Sequence, residues 1–314
     1  MYHKKKIINL LMTLILSNLF AFCINANIVV SIKPIGFIAS AISDGIMPID
    51  VMVPDGASEH NYILRLSDEK KLKKTDLLIW SGSEIEPFMA KSVLNIPAYK
   101  TLILTEIEGV KKSLIKINGD YCKSYSKNEC KKNLNIHLNT KKYNMHIWTS
   151  PDIAKNIAVG IHKKLLELMP QQKEKLNKNL KEFQQLLKNV DKKIMIQLAP
   201  VKYKRYFVFH DAYLYFEKHY GLSSMGYFVI NPEIQPGVKH LYKIRKQIKE
   251  SNVVCVFSEP QFKPAVIDTI TRGIKINKGV LDPLGSNIKL SKDSYLKFLL
   301  QLSNQYQACL TQKI

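Results

Sequence analysis

Apolar and polar positions along the chain switch repeatedly between a period of two and a period near 3.6. NIVVSIKP is a β-branched run that reads as a strand, and GFIASAISDG after it has helical spacing. IDVMVPDG reads as a second strand, and SDEKKLKKTDLLIWSG as a Ser-capped helix followed by a buried strand, LLIW. YKTLILTE is a further strand. From Gly109 to Tyr143 the pattern gives way to a long polar loop of Lys, Asn and Ser. NMHIWTSPDIAKNIAVGIHKKLLELMP then predicts a helix with Thr149 or Ser150 as cap and Pro151 in its first turn. Residues 170–197 carry one amphipathic pattern without an interior Gly or Pro, a helix of about 40 Å at 1.5 Å per residue.

The alternation resumes after this long helix. YFVFHD, SMGYFVINP, NVVCVFSEP and INKGVLDPLG read as strands; AYLYFEKHYG, VKHLYKIRKQIKES and PAVIDTITRG read as the helices between them. Strands alternating with helices predict an α/β protein with parallel sheets covered by helices. The expected organisation is an N-terminal lobe over 27–169, a connecting helix over 170–197 and a C-terminal lobe over 198–314. In open sheets of this kind ligands sit beyond the carboxyl ends of the strands.

The first 26 residues stand apart from this pattern. A basic start, MYHKKK, precedes an apolar run that ends in CINA, and this reads as a cleaved secretory signal with the mature protein starting near Asn27. An uncleaved anchor is the alternative; the run is short for a span and Asn18 interrupts it. A periplasmic location is the expectation. The formal net charge of +21 invites a nucleic-acid reading. The excess is spread as Lys over amphipathic stretches with no basic-aromatic motif, so it reads as a solvated surface and not as a nucleic-acid site. Four cysteines remain beyond the signal, an even number that fits an oxidising compartment. Their spacing favours Cys122–Cys130 within the polar loop and Cys255–Cys309 between a strand and the last segment.

Candidate chemistry gathers where elements end. Glu59 and His60 follow IDVMV and a glycine turn; His146 precedes a helix start; His210 and Asp211 follow YFVF; Asp282 follows the strand near Val280. Three imidazoles with a carboxylate or water in the fourth place suit a divalent ion such as zinc. Asp211 is expected to cap a helix instead of touching metal. His137 is read as solvated, and His162, His219 and His240, on helix patterns, as surface or packing residues.

The runs PDGASEHNYILRLSD, HIWTSPDIA, YFVFHDAYLYFEKHYGL, CVFSEPQFKPAV and GVLDPLGSNIKL carry a resemblance, in order through nearly the whole chain after the signal. They resemble the motifs of the periplasmic zinc-binding proteins of bacterial ABC importers, the ZnuA type of the metal-binding solute-binding proteins. The resemblance implies two lobes joined by a helix with a metal site in the cleft between them. It implies His60, His146 and His210 as ligands of one transported Zn(II), with Glu59 or water completing the tetrahedron. Asp282 matches the carboxylate ligand of manganese-binding relatives and is the alternative fourth ligand. Cys255 and Cys309 match a family disulfide. An inner-membrane permease with its ATPase is the implied partner of a monomeric receptor. The chain departs from the type in one respect: the segment 110–143 is Lys-rich where zinc members often carry histidines and acids. A manganese or iron receptor of the same fold is the nearer rival. A zinc hydrolase using Glu59 as base is the more distant one, with no HExxH helix to support it.

Overall fold

Strands that are apolar on both faces take the central places in two all-parallel sheets. The computed structural model describes residues 26–116, 143–229, 232, 235–263 and 265–313; the expected signal segment, His137 and the Cys122–Cys130 pair lie outside the described residues. In the first sheet, β1 (Ile28–Val30) and β3 (Leu77–Trp80) are buried throughout, and β2 (Ile49–Val51) and β4 (Thr101–Ile103) form the edges, in the order β2-β1-β3-β4. The second sheet runs β5-β6-β7, with β6 (Val253–Ser258) between β5 (Arg205–Phe207) and β7 (Asn277–Val280). Every strand pair is parallel. Parallel pairing requires crossover connections, and the helices that supply them cover the sheet faces.

Helix α1 (Lys33–Ile42) is buried along almost its whole length, which explains a sequence with hardly a polar residue after Lys33. Helix α2 (Leu66–Lys74) begins two residues earlier than its serine predicts. Ser67 lies inside the first turn, and Asp68 closes the helix end by accepting from the Arg65 N–H at 2.8 Å. Helix α3 (Pro151–Leu168) has the expected cap, the Ser150 hydroxyl accepting from Ile153 N–H, with Pro151 at the first position. The long pattern becomes α4 (Lys173–Leu198), 26 residues flanked by 3-10 turns at Pro170–Gln172 and Ala199–Val201. Its Asn179 side chain donates to the Ile42 and Asp44 carbonyls at the end of α1. Near its other end Gln197 donates to Asn304 and Gln307 of the last helix.

In the second half, α5 (Leu214–Tyr220) stops at Gly221, whose φ of 71° is the left-handed cap that glycine adopts without a Cβ penalty. Helices α6 (Val238–Glu250) and α7 (Ala265–Thr271) follow, and α8 (Ser294–Thr311) closes the described chain. Over its described residues, the expected strand SMGYFVINP forms no regular strand. It follows the chain at and beyond β5 through a Val208–Tyr227 bridge and backbone bonds such as Met225 N–H to the Tyr206 carbonyl, and Gly226 at φ 149° interrupts the extended run. The polar stretch after Gly109 also holds a last turn of structure, since Glu108–Lys111 is a single helical turn.

The two sheets share one apolar core. Phe37 of α1 meets Phe298 of α8 with ring centroids 5.9 Å apart, and both sit in the cluster that includes Ile28, Trp148, Tyr206 and Tyr306. Polar links cross the same boundary: Trp148 Nε1 donates to the Pro283 carbonyl at 2.8 Å, and Tyr295 donates to the Trp148 carbonyl at 2.9 Å. No helix among the described residues is long and apolar enough to cross a membrane.

Cys255 in β6 and Cys309 in α8 are joined by a disulfide 54 residues apart in sequence. Closing a loop of that length restrains the unfolded chain by about 4 kcal/mol in the chain-entropy account. Replacing both cysteines by serine is expected to lower the midpoint of thermal unfolding by roughly 10 °C. Thermal melts of the variant and of the thiol-reduced wild type check this, and the two should agree.

Candidate metal centre

His210 stands just beyond β5, His146 just before the turn that leads into α3, and Glu59 and His60 in the loop between β2 and α2. After β2 the chain makes a tight turn in which Ala57 N–H bonds the Pro54 carbonyl, with Gly56 at φ 81° in the third position. That position of a type II turn needs a positive φ, which accounts for the glycine in PDGA. Asp55 in the turn pairs with Lys33, and the Lys33 ammonium also donates to the Ser286 carbonyl of the second half. Ser58 accepts from the His60 N–H, and Glu59 and His60 then face the cleft.

Three imidazoles from three elements converge there. His146 Nε2 lies 3.4 Å from His60 Nε2 and 3.2 Å from His210 Nε2. Glu59 Oε1 lies 3.7 Å from His60 Nε2 and 3.9 Å from His146 Nε2. Among the described residues, Glu59, His60, His146 and His210 form the group whose ligand atoms all lie within 4.8 Å of one another. Nitrogens about 2.0–2.1 Å from one tetrahedral zinc ion stand about 3.3 Å apart, which is the spacing seen here. Glu59 is only 2% exposed and its Oε1 has no hydrogen-bond donor, so a buried acceptor is left aimed at the imidazoles.

The far ring nitrogens explain why these three lone pairs can point to one place. His210 Nδ1 contacts the Glu259 carboxylate at 2.8 Å, and His146 Nδ1 lies 3.1 Å from Asn144 Oδ1. A carboxylate or amide oxygen at Nδ1 holds the proton there and leaves Nε2 free as a ligand. Asn144 also accepts from the His146 N–H and donates to Asp211 Oδ2 at 2.8 Å. Asp211 thus ties the His146 segment to the His210 loop; the residue preceding α5 is Tyr213, not Asp211. Phe262 packs edge-on against the His210 ring.

Charge and burial compete in this pocket. Burial pushes the Glu59 carboxyl up to about 7, partly offset by the attraction of His210. Burial disfavours the charged form of His210, but the surrounding Glu259, Glu59 and Asp211 carboxylates together outweigh it and its pKa rises. A second buried acid, Glu86, accepts from the Ser31 hydroxyl at 2.8 Å and from Ser81 N–H at 2.9 Å at the ends of β1 and β3; burial raises it to about 7 as well.

Asp282 takes a different place. Its carboxylate accepts from Gln261 Nε2 at 2.9 Å, Leu284 N–H at 3.1 Å and Ser286 N–H at 2.7 Å, and it is not among the four converging residues. Of the other histidines, His162 contacts Asn177, His219 pairs with Asp152 and Asp191, and His240 is buried against the Phe228 carbonyl. The sequence reading missed Asn144, Glu259 and Gln261. Glu259 follows strand β6 directly, so the rule that singled out His210 and Asp282 also covers it. Asn144 precedes His146 by two residues and bonds its N–H, a local pattern typical of Asn.

A pair of helix-covered parallel sheets with a cluster of three histidines and one carboxylate between them is the architecture of a metal-binding solute receptor. The structure superposes on a crystal structure of ZnuA with a TM-score of 0.74 at 21% identity, covering 91% of this chain and 99% of the other. The periplasmic zinc-binding protein TroA of Treponema pallidum also gives 0.74, at 14% identity over 92% and 100% of the two chains. Sequence carries the likeness further. Residues 28–309 match the family described as zinc-uptake complex component A, periplasmic. The high-affinity zinc uptake system protein ZnuA of Yersinia pestis is 47% identical over 99% of this chain and all of its own length. This chain belongs to the ZnuA family. That family consists of transport receptors and not enzymes, which removes the zinc-hydrolase alternative.

Removing the Glu259 carboxylate leaves His210 Nδ1 without its acceptor. Glu259→Ala is expected to weaken zinc binding by about 10–100-fold without changing its one-to-one stoichiometry, as losses of outer partners do. Competition titration against a chromophoric chelator measures this.

Proposed function

We propose that this protein captures Zn(II) in the periplasm and delivers it to the permease and ATPase of an ABC importer. The observation that carries the reading is the spacing of His146 Nε2 from the Nε2 atoms of His60 and His210, which matches the edge of a tetrahedral zinc site. His60, His146 and His210 are the proposed ligands, with Glu59 in the fourth place. The family and its near full-length relatives support zinc as the cargo. The proposal includes a cleaved signal over 1–26, lobes over 27–169 and 198–314, and a connecting helix over 170–197.

The chain's own residues do three things. Neutral imidazoles and the Glu59 carboxylate present nitrogen-rich donors suited to a borderline ion. Glu259 and Asn144 hold those rings in the binding tautomer before the ion arrives, so little ordering is needed at capture. Burial raises the Glu59 carboxyl to about 7, so a part of the population carries a proton near neutrality, and binding displaces it.

His60→Ala, His146→Ala and His210→Ala should each lose more zinc affinity than the roughly 100-fold that bounds an outer-shell loss. Asp282→Ala should keep tight zinc binding. Zinc retained at wild-type affinity by His146→Ala would sink the ligand assignment.

Acid should weaken capture. Glu59, raised to about 7, and His210, also raised, hold protons at lower pH that the ion must displace. Affinity is therefore expected to fall as pH drops from about 8 to 6, by about tenfold per pH unit for each proton displaced. Titrations at fixed ionic strength across that range give the slope, and Glu59→Gln should make it shallower.

A further inference from the structure

Another buried carboxylate, Asp282, 3% exposed, lies in the turn whose Pro283 carbonyl accepts from the Trp148 ring, and that ring packs edge-on against His146. It does not join the four converging residues, and the structure shows what holds it. Four donors reach it: Gln261 Nε2 at 2.9 Å, Leu284 N–H at 3.1 Å, Ser286 N–H at 2.7 Å and the Ser286 hydroxyl at 3.4 Å. A carboxylate oxygen offers about two acceptor sites, so Oδ1 is fully engaged, while Oδ2 accepts from Ser286 N–H. Three of the four donors meet Oδ1, and the only one contributed from outside the Asp282–Ser286 turn is Gln261.

Gln261 is oriented for that contact and for little else. Its two amide hydrogens go to Asp282 Oδ1 and to the Ser286 hydroxyl at 3.3 Å. Its carbonyl oxygen is buried without a partner. Flipping the amide would set two acceptors face to face, so the orientation is dictated by the carboxylate, and the unpaired carbonyl is a cost that this orientation carries. The turn that Gln261 clamps cannot readily adjust. Gly285 sits at φ 61°, and a Cβ there would approach the Phe37 ring to 2.8 Å. The loop that bears Gln261 also supplies Glu259 and Phe262 to His210, so a single short segment orients a histidine and ties down a carboxylate.

We infer that Gln261 is a specificity-determining residue: by clamping Asp282 it keeps a second carboxylate out of the metal's coordination shell and holds the site to three nitrogens and one oxygen. The inference rests on the proposed zinc-receptor reading. Harder divalent ions such as Mn(II) favour additional oxygen ligands, whereas zinc is satisfied by four donors. Withholding Asp282 therefore discriminates against manganese without adding any contact to zinc.

The test is competitive binding of Zn(II) and Mn(II) to the wild type, Gln261→Leu, Gln261→Ala and the double variant Gln261→Leu/Asp282→Asn. Thermal melts check folding, and the visible spectra of the Co(II)-loaded proteins report coordination number. In Gln261→Leu and Gln261→Ala the preference for zinc over manganese should shrink at least about tenfold, the size of an outer-shell effect. The intense four-coordinate Co(II) bands should weaken, and Asp282→Asn should restore both properties. An unchanged ratio in both folded single variants, or a shift that survives Asp282→Asn, overturns the role of Gln261 and leaves the zinc-receptor reading standing. A wild type that does not bind zinc one-to-one overturns that reading, and this inference with it.

Discussion

Three converging imidazole nitrogens, with His146 Nε2 3.4 Å from His60 and 3.2 Å from His210, are the constraint on which the rest of the structure depends. Such a cluster does not assemble by itself, because like acceptors repel and burial removes the water that would soften the repulsion. It persists because the opposite edges of the rings are held. Glu259 secures His210, Asn144 secures His146, and the Asn144–Asp211 bond ties those two segments together. His60 arrives separately, on a turn anchored by Lys33 to Asp55 and to the Ser286 carbonyl.

The scaffold behind these contacts is stiff for reasons of packing. One apolar core runs beneath both sheets, and α4 bonds to α1 near its start and to α8 near its end. Trp148 and Tyr295 stitch the His146 segment to the second half through buried backbone carbonyls. Tyr295 also reaches the Ser150 carbonyl, so the same buried hydroxyl holds two points of that segment. The turn bearing Glu59 and His60 is more lightly held, with His60 the least buried of the four site residues.

The motif SEPQF shows how residues that look decorative in one dimension act in three. Glu259 orients His210, Phe262 walls it, and Gln261 engages Asp282. A cluster of one carboxylate and three imidazoles beside a second, restrained carboxylate is a site whose chemistry is set as much by what is withheld as by what is offered.

Much of this was legible in the chain itself. Strand and helix periods announce a parallel α/β protein, since a short continuous apolar run such as LLIW buries both faces and a 26-residue amphipathic run without Gly or Pro forms one helix. His60, His146 and His210 stand where elements end, so their candidacy followed from topology and ligand chemistry. The irregular backbone at Gly226 and the start of α2 were not legible, because a glycine's φ and the choice between Ser67 and Asp68 are settled by neighbours in space. The fate of the two carboxylates was equally hidden. Glu59 and Asp282 are alike as residues, each at the end of a strand segment. Asp282 is engaged by Gln261, 21 positions away, and by its own tight turn, whereas Glu59 keeps a bare buried oxygen. Period and composition report which face of an element is buried; which donor reaches which oxygen depends on distances that exist only once the elements have packed.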